Sequence, residues 1–142
     1  MTLDGLALAA LIILIFNMLY FQITSPAFLL VSLEIPTVST LLRGQFWFYF
    51  LSLSMTAAVA TLAFAVSGRL VVAAGIATIA AFAMFSRKWF RRHMDAELEA
   101  RDRGDRGATR RLRRLHWIGM LSHSIALVAL LVSIPYLNLF PT

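Results

Sequence analysis

SRKWFRRHMDAELEARDRGDRGATRRLRRLHW, from Ser86 to Trp117, carries eleven of the thirteen Lys and Arg residues and separates two long apolar segments. Arg87, Lys88, Arg91, Arg92, Arg101, Arg103, Arg106, Arg110, Arg111, Arg113 and Arg114 face only Asp95, Glu97, Glu99, Asp102 and Asp105, so the stretch nets +6, the formal charge of the whole chain. Positive charge in short loops between membrane spans is retained on the cytoplasmic side, so this stretch decides the orientation of the protein in a membrane.

The apolar segments on either side settle the class. The chain of 142 residues is 60% hydrophobic and 14% charged, far from the balance of a soluble domain. Apolar runs of about 18 residues or more are long enough, as helices, to cross about 30 Å of hydrocarbon. Four spans are predicted, at 3–24, 45–66, 70–90 and 115–134. The expected fold is all-α: a polytopic four-transmembrane-helix bundle with a basic cytoplasmic helical hairpin extension over residues 86–114. The start, MTLDGLALAA, has no basic residue before its apolar run, so the first segment reads as a membrane helix and not as a cleaved signal. There is no cysteine, which excludes disulfides, thiolate metal sites and cysteine nucleophiles. The basic charge is confined to a membrane-flanking loop, which points to anionic lipid headgroups and away from nucleic acid.

Ser25-Pro26 disturbs the first span, because proline removes a helical hydrogen bond and restricts the residue before it. Either the helix continues with a kink to Leu33, or it ends near Pro26 and AFLLVSL lies along the interface, and the excess of the longer helix over the hydrocarbon thickness favours the break. Residues 26–44 then read as an amphipathic connector, with Pro36 opening a short helix and Gly44 ending it. Ser67-Gly68-Arg69 is a tight turn joining spans two and three. The third span is rich in Ala73, Ala74, Gly75, Ala77, Thr78, Ala80, Ala81 and Ala83; small residues mark helix contact faces in lipid, so this span is expected at the centre of the bundle. Within the basic loop, Arg91/Asp95, Glu97/Arg101 and Glu99/Arg103 are spaced i,i+4, each pair worth ~0.3 kcal/mol to a helix that Gly104 and Gly107 then break. With the arginine loop and Arg43 inside, both termini lie outside and only Arg69 is left on that side. Trp47, Trp89 and Trp117 then all fall at the cytoplasmic interface, the depth indole rings favour. Glu34 is expected to pair with Arg43 or the arginine loop.

Candidate chemistry is sparse. A bis-histidine haem takes its axial ligands from two helices, and His93 with His116 is the cross-helix pair available; His116 and His123 are seven residues apart, on one face of the fourth span. The same histidines suit an ordinary interface position and an interhelical hydrogen bond. Asn17, Tyr20 and Thr24 share a face of the first span and would line a polar path, or bond to neighbouring helices. No carboxylate or lysine lies deep in any span, which weighs against a proton relay. No nucleophile elbow, phosphate-binding glycine loop or two-histidine zinc spacing is present. Arg87, Lys88, Arg91, Arg92, Arg110, Arg111, Arg113 and Arg114 are the candidates for contact with anionic lipid or a partner chain.

FQITSPAFLLVSLEIPTVSTLLRGQFWFYF, from Phe21 to Phe50, and RRLHW, from Arg113 to Trp117, resemble bacterial four-helix membrane proteins of the transmembrane-protein-205-like group. The resemblance rests on Pro26 and His116, implies a bacterial inner-membrane bundle and transfers no catalytic residue. Three functional classes follow: a non-catalytic bundle that binds other membrane chains or itself, a haem-binding redox protein using His93, His116 or His123, and a small-solute transporter or channel.

Overall fold

The computed structural model describes residues 2–137. Its order is α1 (Leu3–Thr24), a 3-10 turn (Ser25–Leu29), α2 (Pro36–Val66), α3 (Leu70–Asp102), α4 (Ala108–Ser133) and a 3-10 turn (Ile134–Leu137). The described residues are all helix, turn and coil, and four helices are long and apolar enough to cross a membrane. The tail expected after Pro135 lies, from residue 138 onward, outside the described residues.

Each helix buries only a stripe. Between 22% and 39% of the residues in the four apolar stretches are inside the bundle, so most of the apolar surface faces outward. Phe16, Tyr20 and Ile23 on α1, Phe48, Met55 and Leu62 on α2, and Trp117, Leu121 and Ile125 on α4 form part of that outward band. A band of this extent in water would be an association liability; against lipid tails it costs nothing.

The breaks have local causes. Thr2 caps α1 by accepting from the Gly5 N–H at 3.1 Å, and Asp4 lies in the positive first turn. After Thr24 the chain tightens into the 3-10 turn that carries Pro26. The α2–α3 and α3–α4 turns each place a glycine at positive φ, Gly68 at 79° and Gly104 at 91°, a conformation that costs glycine little. At the first of these turns Arg69 meets Asp4 of α1 at 3.1 Å, which brings the start of α1 beside the α2–α3 turn.

Four expectations need correcting. The connector does not end at Gly44: α2 is one helix of 31 residues, about 46 Å long, that runs through it. A mid-helix glycine costs only about 1 kcal/mol, and here the buried Leu42 and an ion pair between Arg43 and Asp95 of α3 hold the turn helical. The third helix is not central either; α3 is the least buried of the four, and Ala74, Gly75, Thr78 and Ala81 face outward while Ala73, Ile76 and Ala83 pack inward. Glu97 does not pair with Arg101. It takes Arg111 of α4 at 2.8 Å, and Arg101 turns to Asp102 and to Ser39 of α2. The expected Arg91/Asp95 and Glu99/Arg103 contacts are present, at 3.9 and 3.2 Å. Glu34 forms no ion pair among the described residues, since Arg43 is held by Asp95.

The arginine-rich end therefore has its own small core, in which Leu33, Leu42, Met94, Ala108 and Leu112 are all buried. At the level below, an aromatic cluster fills the bundle. Phe46 lies 5.3 Å from Phe21, 5.2 Å from Phe90 and 6.0 Å from Phe50, centroid to centroid. Gly119 of α4 lets that helix reach the cluster: a Cβ there would stand 2.2 Å from Phe46 Cε1.

Candidate functional site

A seam of buried and half-buried polar groups runs between α1, α2 and α4, and it collects most of the polar residues that the sequence singles out. Because α1 ends at Thr24, Ser25 turns inward and meets His116 of α4, Oγ to Nε2 at 2.9 Å. Both side chains are buried. The imidazole edge faces the rings of Phe28 and Phe46, at 6.2 and 5.8 Å, and its Nδ1 has no hydrogen-bond partner.

His123 sits two helical turns further along α4 and is fully committed. Its Nε2 is 2.9 Å from the Met18 carbonyl of α1, and a carbonyl can only accept, so Nε2 carries the proton. Nδ1 is then an acceptor, and the Tyr49 hydroxyl of α2 donates to it. Tyr49 stacks on Phe21 at 4.0 Å, so three helices meet at one imidazole. Tyr49 is the residue that sequence reasoning missed; inside FWFYF it reads as one more interfacial aromatic, and only its pairing with a histidine 74 positions away gives it a role.

The seam continues with Asn17 donating to Thr56 at 3.0 Å, Ser124 donating to Gln22 at 3.0 Å, and Gln45 donating to Thr24 at 2.8 Å. Thr24 in turn donates to the Tyr20 carbonyl at 2.9 Å. Asn17 and Thr24 are therefore cross-helix bonds. Tyr20, expected on the same path, is 64% exposed and points out of the bundle.

His93 and His116, the cross-helix pair considered for haem, each have a hydrogen bond of their own. His93 is exposed, lies 4.1 Å from the Trp89 ring, and donates from Nδ1 to the Trp89 carbonyl at 2.8 Å. His116 has Ser25, Phe28 and Phe46 as its neighbours, so the two imidazoles have different local partners. Both ring nitrogens of His123 are used. No group of three or more His, Asp or Glu residues suited to a metal occurs among the described residues.

The basic residues divide into two sets. Arg113 is spent on the fold: its guanidinium donates to the carbonyls of Leu29 and Val31, each at 3.0 Å, and of Phe28 at 3.5 Å, capping a segment whose carbonyls have left the helix. Arg111 bridges Glu97 and Asp105 at 2.8 and 2.6 Å. That contact, with the Gly107 N–H donating at 2.7 Å, holds the Asp105 carboxyl below the usual carboxylate range. Arg87 lies over the Trp47 ring, 4.8 Å from its centroid. Lys88, Arg92, Arg110 and Arg114 are exposed and have no ion-pair partner among the described residues.

At the opposite end α3 and α4 part to leave an apolar groove of about 490 Å3. Gly75, Thr78 and Ile79 line it from α3, with Ala126, Ala129 and Ser133 from α4. No protein-family model, no curated protein and no solved structure matches this chain.

Proposed function

We propose that this chain is a non-catalytic four-span bundle of the bacterial cytoplasmic membrane that works by association with other membrane chains, a second copy of itself included. The observation that carries this reading is the α3–α4 groove, where Gly75, Thr78, Ala126 and Ala129 leave backbone within close reach at membrane depth. Lipid tails supply no drive to bring helices together, so close packing against small residues is what favours association there. The polar seam supports the non-catalytic part: its histidines, Tyr49, Asn17 and Thr24 are engaged with one another or with backbone across helices. The resemblance of Phe21–Phe50 and Arg113–Trp117 to the transmembrane-protein-205-like group supports the location. The arginine-rich end is cytoplasmic and both termini are outside, a topology supported by the distribution of Lys and Arg.

A photoreactive residue at Ala129 or Thr78, irradiated in native membranes, tests the association. Adducts with a protein chain are expected at both positions and not at Leu121, on the outward face of α4. Adducts with lipid alone at all three would sink the reading. Reporter fusions at Gly104 and after Thr142 should report opposite compartments; the same compartment for both would overturn the topology.

A further inference from the structure

A second groove lies between α2 and α3, at the arginine-rich end, with a volume of about 410 Å3. Its walls are Leu51, Met55 and Ala58 of α2 and Met84 of α3, and both methionines are more than half exposed. Its mouth is formed by Arg87, Lys88 and Arg91. From these features we infer that the groove binds one anionic phospholipid, with its phosphate among those three cations and one acyl chain along the methionines. The inference rests on the membrane-spanning reading above and is independent of what fills the α3–α4 groove.

Depth is the first argument. Arg87 over the Trp47 ring sets the level of the mouth, and indole rings favour the headgroup region. From Trp47 to Ala58 the helix descends about 16 Å, half of a hydrocarbon layer of about 30 Å. Beyond that depth α2 and α3 run together to the short Ser67–Arg69 link, and Ala60, Ala63, Ala73 and Ile76 are buried there. The groove is thus one leaflet deep, the reach of an acyl chain, where a docked helix would need the full thickness.

Charge is the second. Lys88 has no ion-pair partner among the described residues. Arg91 touches Asp95 only at 3.9 Å, and that carboxylate is held more closely by Arg43. Arg87 is occupied with an indole face, which leaves its charge unneutralised. Three cations over an apolar slot match a phosphate over hydrocarbon, the composition of a lipid site between helices at the cytoplasmic surface.

The test uses the full chain in nanodiscs of phosphatidylcholine with phosphatidylglycerol as the minority lipid, followed by native mass spectrometry of the lipid retained. K88Q/R91Q removes charge at the mouth, A58F fills the foot of the groove without changing charge, and R110Q/R114Q removes the same charge elsewhere on the basic surface. Retention of phosphatidylglycerol over phosphatidylcholine should fall about thirtyfold in K88Q/R91Q, at about fivefold for each of two headgroup contacts. It should fall in A58F and hold in R110Q/R114Q. Equal losses in K88Q/R91Q and R110Q/R114Q would mean general surface charge, and no loss in K88Q/R91Q would mean no phosphate site; either overturns the inference. Retention unchanged in A58F would remove the acyl groove from it. Failure of the wild-type chain to enter nanodiscs would instead sink the membrane reading, and this site with it.

Discussion

Replacing Gly119 with alanine puts a methyl group where the Phe46 ring already stands. The added carbon would lie 2.2 Å from Phe46 Cε1, 2.7 Å from its Cζ and 3.3 Å from Phe90 Cζ. Non-bonded carbons rest about 3.5–4.0 Å apart, so α4 and the ring must separate by more than an ångström. The ring has nowhere to go: Phe46 is 1% exposed, with Phe21 and Phe90 at 5.3 and 5.2 Å and His116 at 5.8 Å. Overpacking of this kind costs about 3 kcal/mol at its upper range, and the better helix propensity of alanine returns about 1, so the net loss should be about 2 kcal/mol. Gly44→Ala is the control, because nothing lies within 4 Å of the new methyl there and only the propensity gain of about 1 kcal/mol remains. Unfolding in mixed micelles by increasing SDS, followed by helical circular dichroism, should move in opposite directions for the two variants. Adding Phe46→Leu to Gly119→Ala should recover part of the loss, a coupling that separate packing defects would not show. Equal stability of Gly119→Ala and Gly44→Ala would refute the reasoning.

Tyr49→Phe removes the donor to a buried imidazole nitrogen and should cost about 1–3 kcal/mol in the same titration, with helix content unchanged in the folded state. Arg113→Lys should loosen the segment after α1, because one ammonium cannot replace a fork that reaches three carbonyls; faster amide exchange confined to residues near Ser25–Val31 is the readout. The Asp105 carboxyl, held low by Arg111 and the Gly107 N–H, supports the α3–α4 turn at any pH above its unfolded pKa, and that support is lost as pH falls through the lower folded value. Proteolysis at Arg106 should therefore rise on strong acidification in the wild type, whereas in Asp105→Asn it should already be raised at neutral pH and change little with acid.

The features legible in the sequence are those with a local cause. Apolar length marks four helices, Pro26 marks the end of α1, and Gly68 and Gly104 mark the turns, because each acts on its own few residues. Gly44 was legible only as a possible terminus, and what keeps it helical is the Arg43–Asp95 contact across 52 residues. Glu97 chooses between Arg101 and Arg111 by where α4 passes, which no i,i+4 rule contains. The seam follows the same division. His116 and His123 stood out as residue types, but Ser25, Tyr49 and the Met18 carbonyl became their partners only through the packing of three helices. The groove between α2 and α3 had half a signal in advance: its cations were conspicuous, whereas its apolar wall depends on the register of two antiparallel helices.

The unbroken run of α2 from Pro36 to Val66, braced to α3 by Arg43 and Asp95, has a mechanical side. Two stiff rods fastened near one end by an ion pair and at the other by the short Ser67–Arg69 link act as a shaft, and a sideways push on the arginine-rich end travels about 46 Å without meeting a joint. α1 is attached differently, through a 3-10 turn and an irregular segment that Arg113 clasps by its carbonyls. At the far end α1 is tied to this pair by the Asp4–Arg69 contact beside the α2–α3 link.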